Sequence, residues 1–228
     1  MGAGKIEASL INPLNLCRNR FWHGLGCSLK SRWLMIVLMM WQSLPAMAGH
    51  QLYEPLSNSV CVSLSSAVSD RPVTHAALLE SPDAKAWLQE MSRRLAHRMP
   101  DSQQRKEFLS TVYYESVRAG LDPEMVMGLI EVESGFNKYA ISTADARGYM
   151  QVMPFWVGLV GTKGQDLFHL RTNLRYGCNI LRLYVDMENG NLYRALGRYN
   201  GSLGQPQYPM MVVGAWKKHW SYRISAFR

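Results

Sequence analysis

A mainly α fold is what this sequence predicts, and three observations carry that reading. Helix-starting signals recur: Ser81-Pro82-Asp83, Asp101 with Gln104 three residues on, and Asp122-Pro123-Glu124. Each offers a side-chain cap, two add a first-turn proline, and the acids suit the positive end of a helix. Apolar residues then follow at helical spacing, and no stretch beyond residue 80 alternates as a half-buried strand would.

The first helix carries Ala84, Trp87, Leu88, Met91 and Leu95 on one stripe and ends before Pro100. A second, capped by Asp101, has Phe108, Leu109, Val112 and Val117 as its apolar residues, with Gly120 as its stop. The third runs from the Asp122 cap to Gly135. Further helices are expected at 173–188, 191–199 and 208–220, while Pro154 and several glycines break 148–164 into short pieces.

Composition narrows the class. The chain has 228 residues, 47% hydrophobic and 18% charged, which excludes a disordered polyelectrolyte and a low-complexity chain. Its four cysteines form no C-x-x-C pair, so neither a zinc ribbon nor a thioredoxin-type site is expected. No metal and no cofactor is called for.

The amino end reads as an export signal. Lys30 and Arg32 precede an apolar run over 33–44, and Pro45 leads into Ala46-Met47-Ala48, an A-x-A cleavage site. The run is shorter than the roughly 20 apolar residues a membrane span needs. An uncleaved anchor is the alternative, and a translation start downstream of the first 28 residues would explain the unusual upstream length. The expected organisation is a signal peptide over 1–48, an irregular linker over 49–80, a helical extension over 81–104 and one domain over 105–225.

Net charge is +8, and it is uneven: beyond Glu133 there are 12 Lys and Arg against four acids. That half should favour an anionic partner. Export argues against nucleic acid and for a cell-wall polymer or lipid surface. Cys61 and Cys178 lie beyond the cleavage site, where a disulfide and two free thiols are both chemically permissible.

Chemistry concentrates at the end of the third helix. Val126, Leu129, Ile130 and Glu133 stand at i, i+3, i+4 and i+7 and so share a face. Glu131 is about 200° around the helix from Glu133, on the far side. Glu133 therefore ends an apolar stripe at the negative pole of the helix, and both desolvation and the dipole raise a carboxyl's pKa there. A general acid working near neutrality needs that property. Spacing alone leaves open a stripe-edge glutamate satisfied by an arginine or a backbone N–H.

Four blocks, in order, resemble the lytic transglycosylases with a lysozyme-like fold, the soluble-lytic-transglycosylase family. Ile130-Glu131-Val132-Glu133-Ser134-Gly135-Phe136 resembles the family's Glu-Ser motif, and the run from Ala146 to Pro154 its Gly-Leu-Met-Gln block. Asn173-Leu174-Arg175-Tyr176-Gly177-Cys178 resembles its Asn-rich helix start, and Ala195-Leu196-Gly197-Arg198-Tyr199-Asn200-Gly201-Ser202 its Tyr-Asn block. Tyr149 stands where Leu is usual, and Arg198 where a small residue commonly precedes Tyr-Asn.

The resemblance implies a lysozyme-like helical domain that cleaves the β-1,4 bond between N-acetylmuramic acid and N-acetylglucosamine in peptidoglycan, leaving 1,6-anhydromuramic acid ends. Glu133 would be the acid and then the base; Ser134 and Gln151 would bond the sugar or fix the acid. Tyr199 would orient the Glu133 carboxyl, and Asn200 would hold the glycan. The implied setting is the periplasm, with glycan strands as the partner, an envelope-spanning machine as a further partner class, and a monomeric chain. The rival readings are a non-catalytic wall-binding module and a hydrolysing muramidase. A muramidase needs a second carboxylate, for which Asp145 is the best candidate, since Asp186 and Glu188 read as a solvated helix end.

Overall fold

The computed structural model describes residues 51–69 and 79–222. The expected signal peptide, with Cys17 and Cys27, and the segment 70–78 lie outside them.

Eight α-helices are present among the described residues: α1 Asn58–Val68, α2 Pro82–Leu95, α3 Ser102–Arg118, α4 Pro123–Ser134, α5 Phe155–Val160, α6 Leu170–Met187, α7 Leu192–Tyr199 and α8 Gln207–Ala215. A five-residue π-helical turn, Trp216–Trp220, continues α8. The only β pairing among the described residues is two isolated bridges, Ile141 with Arg147 and Arg147 with Val152. The mainly α expectation holds.

The expected caps form as the sequence signals. Ser81 Oγ accepts from Ala84 N, Asp101 Oδ1 from Gln104 N at 2.6 Å, and Asp122 Oδ1 from Glu124 N and Met125 N. Each satisfies an amide that a helix start leaves unpaired, a contribution of about 1 kcal/mol. Gly135 stops α4 in the left-handed region, φ 57°, which a residue with a Cβ adopts only under strain.

Packing makes α4 the central helix. Met125 through Ile130 are buried without a break, because α3, α8 and the π-turn all pack around it. That all-round burial is why α4 is apolar on every side until its last turn. Against this group, α6 packs on α3 and α7, and α2 packs on α3.

Three expectations need correction. The segment 49–80 is not an irregular linker throughout: 58–68 is helix α1, capped by Ser57 and packed on α5 and α6. Its helical stripe is short, and a serine-rich exposed face masks it. Val117 is exposed, whereas Glu115 and Ser116 are buried. Glu115 tolerates burial because Arg175 Nη2 donates to it at 2.9 Å, and Arg118 and Arg171 stand nearby. Glu188 is not solvated either; it is buried and paired with Arg194 and Arg198, whose hydrogen bonds hold its pKa below the usual carboxylate range.

Cys61 and Cys178 are both free thiols. Cys178 is fully buried beside Ser116 and Met150, and burial pushes its thiol pKa well up.

Candidate active site

Glu133 sits in the last turn of α4, part-buried, and accepts a hydrogen bond from the hydroxyl of Tyr208. Burial pushes its carboxyl up to about 8, and the Tyr208 hydrogen bond pulls only partly the other way. The helical-face argument anticipates this direction, and desolvation is its cause. Glu133 is therefore protonated at neutral pH and able to donate.

Tyr208 was not among the expected site residues. It lies 75 residues downstream in the first turn of α8, and no local pattern in the sequence joins it to Glu133. The resemblance gave Tyr199 the task of orienting Glu133. Instead, the Tyr199 hydroxyl donates to the Met150 carbonyl at 2.7 Å, while its ring lies within electrostatic reach of the carboxyl. Tyr199 thus holds the 148–153 loop, and Tyr208 holds the acid.

That loop is pinned at almost every residue. Ser134 Oγ donates to the Tyr149 carbonyl at 2.8 Å, tying the loop to the turn that bears Glu133. Asn173, fully buried at the start of α6, accepts from Met150 N at 2.8 Å and donates to the carbonyls of Arg147 and Leu167, both at 2.8 Å. Gly148, at φ 75°, passes so close to Asn173 and the Leu167 carbonyl that a Cβ there would collide with both. Glycine is required at 148 for conformation and for space.

Gln151 is buried at a positive φ of 49°. Its amide donates to the carbonyls of Ala140 and Gly148, at 3.1 and 3.0 Å. Those bonds commit its amide donors to the loop. Asn200 caps α7 and is buried; its Nδ2 donates to Ser202 Oγ at 3.0 Å. Its Oδ1 has no hydrogen-bond partner among the described residues, which leaves a buried acceptor open to a ligand N–H or O–H.

Glu131 faces away from Glu133, as expected, but not into water. Its carboxylate accepts from Arg98 and Trp220 Nε1, both at 2.6 Å, and lies 3.0 Å from His219 Nδ1. It fastens the π-turn to α4, and the π-turn continues the helix that carries Tyr208. Asp145, the candidate second carboxylate, is more than half exposed and paired with Arg147.

The charge excess beyond Glu133 is also less free than the count suggests. Arg171 and Arg175 face Glu115, and Arg198 faces Glu54, so acids of the amino half offset them.

Residues 111–210 match the family model described as Transglycosylase SLT domain. The chain is similar to "Membrane-bound lytic murein transglycosylase C" of Mannheimia succiniciproducens, 42% identical over 66 residues, covering 29% of this chain and 17% of the relative. The protein of the same name from Photorhabdus laumondii is 30% identical over 114 residues, covering 43% of this chain and 32% of the relative. The chain thus spans less than a third of the length of these curated relatives. A solved structure of an inactive mutant of the lytic transglycosylase Slt from Pseudomonas aeruginosa aligns over 76% of this chain and 36% of that one, with 16% identity and a TM-score of 0.40. No helix among the described residues is long and apolar enough to cross a membrane.

Two outcomes follow from the Glu133–Tyr208 pair. In Tyr208→Phe the ionised form of Glu133 loses a hydrogen bond, so its pKa rises further and the basic limb of the kcat/KM profile moves to higher pH. Turnover falls roughly 10- to 100-fold, because a hydrogen bond to a charged group contributes about 1.5–3 kcal/mol. A basic limb that moves to lower pH would contradict the assignment.

The second outcome concerns stability. Because the folded-state pKa of Glu133 is raised, folding holds its proton more tightly than the unfolded chain does. The stability this adds is complete below the model-peptide value of 4.5 and is lost as pH rises toward about 8. Glu133→Gln should therefore gain on the parent between pH 5 and pH 8, by roughly 1–3 kcal/mol. Urea denaturation at both pH values checks this; a difference that does not grow with pH would contradict it.

Proposed function

We propose that this chain is a peptidoglycan lytic transglycosylase that cleaves the β-1,4 bond between N-acetylmuramic acid and N-acetylglucosamine. The observation that carries the reading is the Glu133 carboxyl, desolvated at the end of α4, its pKa raised to about 8, and hydrogen-bonded by Tyr208. The SLT-domain match and the relatives' names support the same class.

In the first step Glu133 donates its proton to the glycosidic oxygen, and the bond from that oxygen to C1 of the muramoyl residue breaks. The substrate's own acetamido oxygen stabilises the positive charge at C1. The Glu133 carboxylate, steadied by the Tyr208 hydroxyl, then takes the proton from the muramoyl C6 hydroxyl as O6 bonds to C1. The proton returns to Glu133, the 1,6-anhydro ring closes and no water is consumed. One carboxyl thus performs both transfers, where ordinary glycosidases use two. Ser134, Gln151 and Tyr199 fix the geometry of the cleft wall, and Asn200 Oδ1 accepts from the glycan.

The setting we propose is the periplasm, reached through the signal over 1–48, with the catalytic domain over 105–225. Glycan strands are the partner. Mass spectrometry of soluble products from purified sacculi tests the reading: anhydro-terminated fragments are expected, and fragments ending only in reducing sugars would overturn it.

A further inference from the structure

The arm ahead of α1 reaches the 151–156 block through Gln51. Leu52 and Tyr53 are 52% and 61% exposed, yet Gln51 beside them is 3% exposed. Its side chain bonds three separate groups of the loop block: Nε2 donates to the Gln151 carbonyl at 3.3 Å, and Oε1 accepts from Met153 N at 3.1 Å and from Trp156 Nε1 at 3.0 Å. Three residues on, Glu54 receives both its bonds from Arg198 Nη1, at 2.7 Å each. Arg198 immediately precedes Tyr199 and Asn200, and it occupies the position where the resembling family commonly has a small residue.

One arm therefore ties two blocks that are distant in sequence, the Gln151 loop and the Tyr199–Asn200 corner. We propose that the arm 51–56 is a working part of the catalytic centre, with Gln51 and Glu54 as positioning residues that hold those two blocks in register for the glycan.

Three physical points support this. Leu52 and Tyr53 stay more than half exposed and Leu56 packs only partly on the core, so apolar adhesion alone does not explain a buried glutamine there. A fully satisfied buried amide specifies one geometry, because any slip leaves several polar groups unpaired. Gln151 is also a non-glycine residue at positive φ, a conformation that persists only where its surroundings over-determine it, and Gln51 is one of those surroundings.

This inference rests on the proposed function for its activity arm but has an arm that does not. The full chain is compared with Gln51→Ala, Gln51→Glu and Glu54→Ala. Readouts are kcat and KM for release of anhydromuropeptides from sacculi, thermal midpoint, and hydrogen exchange at the Gln151 to Met153 amides.

Gln51→Ala should lower kcat at least tenfold while KM changes less than threefold, and exchange at Met153 should rise at least tenfold. Gln51→Glu keeps both acceptor bonds but loses the donor to Gln151, so it should recover part of the kcat. Glu54→Ala leaves Arg198 held by Glu188 alone, untied from the arm, and should lower kcat severalfold with little change in midpoint. If the kcat of all three variants stays within twofold of the parent, or if exchange at Met153 is unchanged, the arm is not a positioning element. If the parent releases no product, the proposed function fails, and the exchange result alone decides the arm. Should Gln51→Ala not fold, Gln51→Glu and Glu54→Ala carry the same comparison.

Discussion

Glu133→Gln abolishes release of anhydromuropeptides from sacculi while leaving the fold and sacculus binding in place. Glutamine keeps the size of the side chain and an oxygen for the Tyr208 hydroxyl, but it can neither donate nor recover the catalytic proton. General acid–base catalysis contributes roughly 10²- to 10⁴-fold, and here one group does both halves, so a loss at the upper end or beyond is expected. Glu131→Gln, assayed beside it, loses its ion pairs to Arg98 and His219 but retains an acceptor for Trp220. It should lower stability and leave most of the turnover. The reverse pattern, with Glu131→Gln inactive and Glu133→Gln active, would overturn the assignment.

The largest expected loss of stability is at Asn173→Ala. That change strips the partner from Met150 N and from the Leu167 carbonyl, and leaves the Arg147 carbonyl with only its bond from Val152 N. Each buried group left unpaired costs about 1–3 kcal/mol, so a total of roughly 3–5 kcal/mol is expected. Differential scanning calorimetry should show a midpoint lower by about 10 °C or more for a domain of this size. Asn179→Ala is the contrast. It removes one part-buried bond to the Arg175 carbonyl within the same helix and should cost about 1 kcal/mol. Equal losses at both positions would contradict the view of Asn173 as the hub of the loop.

Much of this was legible in the sequence, and for local reasons. Caps at Ser81, Asp101 and Asp122 act within three residues, so a linear reading finds them. The placement of Glu133 and Glu131 on opposite sides of α4 follows from helical geometry alone. What a linear reading misses is pairing across the chain. Tyr208 meets Glu133 over 75 residues, Arg175 meets Glu115 over 60, and Gln51 meets Trp156 over 105. The same cause explains two errors. Glu188 reads as solvated in the sequence because Arg194 and Arg198 lie beyond its own helix, and the buried face of α3 is wider than its apolar stripe because several neighbours pack on it. A polar residue in a Ser-rich arm gives no sign that it is buried, so nothing in the sequence marks Gln51.

The central claim is that one carboxyl closes an anhydro ring without water. Digestion of purified sacculi in water enriched in heavy oxygen tests it most directly. The account predicts anhydro-terminated muropeptides whose C1 carries no label, and no such products from Glu133→Gln. Reducing-end muropeptides carrying heavy oxygen at C1 would contradict it.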